Sequence, residues 1–127
     1  MAGWPVSCAG LVVTQRLLSG DLGAVLGLLK GQVQADAFIA AHRTPAEAVV
    51  EQELAASLGS GLPPGVLGAS FGQLAFTADP LAGAMATEAR HAAAAGLTRP
   101  AGSLKGLFDL GPLDRVLRAA GQRPVTS

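Results

Sequence analysis

A short apolar run, AGLVVT at residues 9–14, constrains the fold of this chain more than any other feature. Its two adjacent valines are β-branched and it carries no charge, which is typical of a strand buried inside a sheet. A buried strand needs neighbouring strands, yet the sequence predicts only one other extended piece, at residues 75–78. We therefore expect the remaining strands of the sheet to lie in sequence outside this chain.

The rest of the chain shows helical periodicity. From Asp21 onward, apolar residues recur at intervals of three and four, which predicts an amphipathic helix. Capping residues, prolines and glycines delimit four more helices. One of them starts at Thr44-Pro45-Ala46-Glu47, where the threonine is the predicted cap and the glutamate can bond back to the cap residue's amide. The five predicted helices cover residues 21–41, 44–58, 66–74, 81–96 and 110–120. On the first of them, Gly23, Gly27 and Gly31 form a smooth stripe on which another element can pack closely.

Length and charge exclude several classes of protein. A chain of 127 residues, half of them apolar, is long enough for one hydrophobic core. Nine basic and nine acidic side chains cancel, and no block of either sign predicts a nucleic-acid or anionic-lipid partner. The longest apolar stretch includes Lys30 and Asp36, which excludes a membrane span. Cys8 has no second cysteine with which to form a disulfide, and the residues before it do not form a signal peptide.

The sequence shows no constellation typical of catalysis or of metal binding. No serine lies in a G-x-S-x-G elbow, and the glycines form neither a dinucleotide-binding fingerprint nor a phosphate-binding loop. The two histidines, His42 and His91, are far apart in the sequence. Glu88 and His91 form one E-x-x-H pair, and a single copy is more often a surface pair than a metal site. We expect no enzyme activity, no cofactor and no metal.

A series of short motifs runs through almost the whole chain. In order it comprises Trp4-Pro5, an LVV strand, a TQRLL turn into a long helix ending in AFIAAHRTPAEAV, and then LPPGVL, AFTADPLAG, AAAAGL and GLFDLGPLDRVLRAAGQRPV. The order and spacing of these motifs resemble the C-terminal region of ABC-importer substrate-binding proteins for aliphatic sulfonates, taurine and nitrate. Two features depart from the family pattern. Ser19-Gly20-Asp21 stands where His-Pro-Asp usually begins the long helix, and glycines interrupt a third helix that is usually rich in Glu, Ala and Lys.

The resemblance implies an α/β fold of the two-lobed, type II periplasmic-binding-protein kind. Residues 1–127 are then one partial domain, the C-terminal part of lobe I, with one or two short strands and about five helices. The implied function is capture of a small anion, such as a sulfonate, and its delivery to an ABC permease in the membrane, with no covalent chemistry. The implied location is periplasmic or extracytoplasmic, although the chain as written, without a signal peptide, is expected to stay in the cytoplasm.

Three residues are candidate ligand contacts through this resemblance. It places Trp4 near the cleft between the lobes, where the ring can pack against an apolar ligand tail, but packing at the hinge is the more common role. Thr77 and Asp79 lie at the junction between an extended segment and a helix, where a hydroxyl and free amides can face the cleft. Capping of the following helix is the simpler explanation for Asp79.

A function of a different class stays open at this stage. The chain is also compatible with a small cytosolic helical module that binds another protein through the glycine stripe and the Leu/Val face of its longest predicted helix. Self-association is expected as well, because a strand at residues 9–14 without partners has unpaired edges.

Overall fold

The computed structural model of the chain describes residues 9–100, 102, 104 and 106–125. Of these residues, 63% lie in helices and none lies in a strand. The helices are α1 (Gln15–Gly20), α2 (Leu22–Ala41), α3 (Arg43–Leu58), α4 (Val66–Gln73), α5 (Ala82–Ala94) and α6 (Gly111–Ala119).

The expected α/β fold is wrong for the part of the chain that the structure describes. Residues 9–14 have no regular secondary structure, and Leu11 and Val12 expose 50% and 84% of their surface. The physical reason is that a strand exists only through a hydrogen-bonded ladder with a neighbour, and β-branched composition does not supply that neighbour. The second extended piece, at residues 75–78, is likewise outside any sheet.

The helix predictions agree with the structure to within two residues at each boundary. The exception is α1, because the TQRLL segment was expected to be a turn and is instead a short helix. The Thr14 hydroxyl accepts a hydrogen bond from the Leu17 amide over 3.1 Å, so Thr14 caps α1. At the start of α3, the predicted cap at Thr44 is wrong. The helix begins one residue earlier, at Arg43, and its cap residue His42 makes no side-chain capping bond.

The described residues group into two compact units. Unit 1 contains the residues up to Lys30 and those from Ala78 onward, and unit 2 is Gly31–Thr77. Each unit buries few apolar side chains. In unit 1 the buried residues are Val25, Leu113 and Leu117, and in unit 2 they are Val33, Ala46 and Phe71.

Helix α6 shows how unit 1 is organised. Leu113 and Leu117 lie one turn apart and are both buried, with 8% and 2% of their surface exposed. The backbone amide of Val125 donates to Asp114 Oδ1 over 2.9 Å, which ties the segment after α6 back to the helix. Within the described residues, no helix combines the length and the apolar character needed to cross a bilayer.

Candidate functional site

The motif FTADPLAG forms the entry to α5. Asp79 Oδ1 accepts a hydrogen bond from the Leu81 amide over 2.8 Å, and α5 begins at the next residue, Ala82. Leu81 has a φ of 54°, a left-handed conformation that no other described non-glycine residue adopts. The Asp79 carboxylate therefore fixes the backbone turn that leads into the helix. It does not cap α5 as the sequence predicted, because the cap residue is Leu81, which has no side-chain capping bond.

The three candidate ligand contacts fall in different parts of the chain. Trp4 lies outside the described residues. Thr77 is exposed at the end of unit 2, in the irregular segment that follows α4, whereas Asp79 is exposed in unit 1. Both residues make further interactions. A ligand role for Trp4, Thr77 and Asp79 stays a prediction.

The motif GLFDLGPLDRVL is built in the same way as FTADPLAG. Asp109 Oδ1 accepts a hydrogen bond from the Gly111 amide over 3.1 Å, again two residues ahead, and α6 starts there. Leu113 and Leu117, the two buried leucines of this motif, then pack the helix into unit 1. Both motifs thus lie where a helix begins, and GLFDLGPLDRVL also supplies the buried side of its helix.

The long helix α2 also begins at an aspartate. Asp21 Oδ1 accepts a hydrogen bond from the Ala24 amide over 2.9 Å, so the side chain caps one of the free amides in the first turn of α2. Sequence reasoning placed the helix start at Asp21 but did not assign this capping bond. An acidic residue immediately before a periodic apolar stretch was the signal that could have identified it.

Arg43 is the centre of the contacts that join α3 to α4 in unit 2. Its Nε donates to Glu47 Oε1 over 2.9 Å, and its Nη2 donates to the Gly68 carbonyl over 3.5 Å. The guanidinium carbon lies 5.8 Å from the centre of the Phe71 ring, which in turn lies 5.3 Å from the Phe76 ring. Glu47 thus pairs with Arg43, whereas the sequence had suggested a bond back to the helix cap.

His42 lies at the start of α3, and His91 lies in α5. The His42 ring stacks on Phe38, with 5.0 Å between the ring centres and 21° between the planes. His91 lies in the last turn of α5, where a basic side chain faces the negative end of the helix. Across the described ranges, no three His, Cys, Asp or Glu side chains are close enough to hold a metal ion together.

A shallow groove of about 380 Å³ runs beside α5 in unit 1. Apart from Arg90, its described lining residues are apolar: Ala86, Ala89, Ala93, Pro100, Gly102 and Leu104. The Arg90 guanidinium donates to the Thr87 hydroxyl over 3.0 Å. Among its described lining residues, the groove presents one cation and no converging polar groups that would orient a small ligand.

Comparison of the chain with family models, with curated proteins and with solved structures gives no match.

Proposed function

We propose that this chain contributes to the substrate-binding component of an ABC importer for aliphatic sulfonates or related small anions, and that it performs no covalent chemistry. The proposal rests on the ordered motifs at residues 4–125. It concerns the activity of the chain. It does not include the α/β fold, which the helical structure contradicts. The substrate is a small anion, the partner is an ABC permease in the membrane, and the location is extracytoplasmic.

One structural observation supports the proposal more than the others. In the motif series, Asp21 is the residue shared with the His-Pro-Asp pattern that usually begins the long helix. Its carboxylate caps the 20-residue helix α2 through the Ala24 amide. An aspartate suits this position because its side chain can bond a free amide in the first turn of the helix. The aspartate of the motif is therefore also the residue that caps α2.

The test is an uptake measurement. The gene for this chain is deleted from its source organism, and the initial uptake rates of radiolabelled taurine and hexanesulfonate are compared with that of a labelled amino acid. We expect sulfonate uptake to fall at least about tenfold, amino-acid uptake to stay unchanged, and the intact gene to restore the sulfonate rate. Equal sulfonate uptake in the deletion and parent strains contradicts the proposal.

A second candidate function, a helical module that binds another protein, is favoured by the exposed face of α2. Leu28, Gly31, Ala35 and Phe38 lie on one side of this helix at spacings of three, four and three residues. All four are exposed, and Leu28 and Phe38 expose 49% and 45% of their surface. The helix buries Val25 and Val33 at other positions around its axis. An exposed apolar stripe of this kind is typical of a helix that packs against a partner.

The two candidate functions predict different effects of a change on this face. In the interaction module, Phe38→Glu abolishes partner binding, whereas Ala37→Glu, an equal change in charge at an exposed position on another side of α2, leaves binding intact. Cross-linking in intact cells with each variant measures the effect. If the chain acts only in sulfonate import through other surfaces, both variants restore uptake equally in the deletion strain.

A further inference from the structure

The groove beside α5 forms where the chain turns back at the end of the helix. The Leu97 amide donates to the Ala92 carbonyl over 2.9 Å, and Gly96 has a φ of 71°. This is the left-handed turn that ends many helices and directs the following chain away from the helix axis. Three described residues of the loop after the turn line the groove together with α5: Pro100, Gly102 and Leu104.

The helix contributes one of its sides to the groove. Ala86, Ala89, Arg90 and Ala93 are separated by three, one and three residues, so they lie on the same side of α5. Three of these side chains are single methyl groups, which leave space between the helix and the loop. The volume of about 380 Å³ lies within the range of about 300–1,000 Å³ that is usual for small-molecule sites.

Hydrogen bonds on α5 fix the position of the Arg90 guanidinium. Its Nη2 donates to the Thr87 hydroxyl over 3.0 Å, and that hydroxyl donates to the Gly83 carbonyl over 3.0 Å. The bond to Thr87 uses one of the five N–H groups that a guanidinium carries. A positive charge that is held at the groove before a ligand arrives lowers the entropy cost of binding.

We propose that this groove binds an alkyl anion, with its charged head on the Arg90 guanidinium and its alkyl chain along the alanines of α5. Arg90 is the one cation among the described lining residues, and the other six are apolar. A ligand with several polar groups finds no set of partners there, whereas an alkyl anion has a single polar group. The inference deepens the proposed import function, and it rests on that function only for a sulfonate as the natural head group.

The size and composition of the groove favour a free small molecule over a macromolecule. Seven described residues line it, whereas a stable protein interface uses about 20–30 residues on each side. A helix that binds a bilayer inserts large apolar side chains, and α5 presents alanines to the groove. The charge of Arg90 then favours an anion over a neutral or cationic alkyl compound.

The first test is a backbone NMR titration of the full chain with octanesulfonate. We expect the largest shift changes at the amides of the lining residues. Octanol has the same chain without the charge and should bind about fivefold more weakly. Butanesulfonate has the same head on a shorter chain and should bind about tenfold more weakly, because each buried methylene group contributes up to about fourfold in affinity. Equal affinities for the three compounds, or no binding of octanesulfonate, overturn the proposal.

Two variants separate the head site from the chain site. Arg90→Gln should lower the affinity for octanesulfonate about fivefold and leave that for octanol unchanged, and Arg16→Gln is the control with the same change in charge at an exposed position of α1. Ala89→Leu fills the groove and should weaken both compounds, unlike Ala94→Leu at an exposed position of α5 outside the described lining. Circular dichroism confirms that each variant is folded. Equal effects of a variant and its control overturn the proposal.

Uptake distinguishes failure of this inference from failure of the import function. If deletion of the gene abolishes sulfonate uptake and Arg90→Gln restores it fully at low substrate concentration, the inference is wrong and the import function stands. We expect Arg90→Gln to restore about a fifth of the rate, in line with the loss of affinity. If deletion leaves uptake unchanged, the import function is wrong, and octanesulfonate binding that depends on Arg90 still supports the groove as a site for alkyl anions.

Discussion

The carboxylate of Asp79 holds the backbone of Leu81 in place: Oδ1 accepts the Leu81 amide hydrogen over 2.8 Å, and Leu81 has a φ of 54°. The left-handed conformation costs a residue with a side chain about 1–2 kcal/mol. The hydrogen bond offsets part of this cost at the residue before α5 begins. The relationship explains why an Asp-Pro-Leu sequence gives a sharp helix start.

Removal of this hydrogen bond is therefore expected to destabilise the chain. Asp79→Ala should lower the free energy of unfolding by about 1 kcal/mol, a typical net value for the loss of one intramolecular hydrogen bond. Asp79→Asn keeps an oxygen acceptor and should lose less than half of that amount. Urea unfolding followed by circular dichroism gives both values. If the two variants are equally destabilised, the charge of Asp79 and not its hydrogen bond to Leu81 is the important property.

Helix α6 is expected to depend on Leu117. This residue exposes 2% of its surface, and Leu117→Ala should lower the free energy of unfolding by about 2–5 kcal/mol because it removes buried methyl groups and leaves a cavity. Leu107→Ala is the control, since Leu107 is 58% exposed, and its effect should be below about 0.5 kcal/mol. Similar losses for the two variants, measured by urea unfolding, would show that Leu117 is not in a packed core.

Two glycines are expected to respond in opposite directions to alanine. No atom lies within 4 Å of a Cβ added at Gly27, so Gly27→Ala should stabilise α2 by about 1 kcal/mol. Gly96 has a φ of 71°, and Gly96→Ala should destabilise the chain by about 1 kcal/mol. Thermal unfolding of both variants checks the signs. Destabilisation by Gly27→Ala would mean that another element packs on this position in solution.

Contacts between α3 and α4 are expected to depend more on Phe71 than on Arg43. Phe71 exposes 5% of its surface, and Phe71→Ala should cost about 3–5 kcal/mol. The Arg43 side chain is 52% exposed, so Arg43→Gln should cost only about 0.2–1 kcal/mol, and less at high salt. Amide hydrogen exchange in α4 reports on both changes. A larger increase in exchange for Arg43→Gln than for Phe71→Ala would show that these contacts depend more on Arg43 than on Phe71.

The helices were largely predictable from the sequence because their signals are local. Helical spacing of apolar residues, the Asp79-Pro80 start and the glycines that end helices depend on neighbours a few positions away. The cap predicted at Asp79 was wrong, because its side chain bonds the Leu81 amide one residue before α5 begins. The cap predicted at Thr44 was wrong because the helix continues back to Arg43, whose guanidinium takes up the Glu47 carboxylate.

The conformation of residues 9–14 was not predictable in the same way, and the strand expected there is absent. Valine content favours an extended backbone, but a strand depends on hydrogen bonds to residues distant in the sequence. Leu11 and Val12 are exposed in the structure, so composition alone gave the wrong result.

Backbone NMR of the full chain tests most directly whether the chain is helical and whether residues 9–14 lack a strand. We expect Cα and Cβ chemical shifts typical of helix throughout α1 to α6, and shifts close to random-coil values at residues 9–14. Consecutive extended-strand shifts at residues 11–13, together with slowly exchanging amides that show pairing to another strand, would contradict the absence of a strand there.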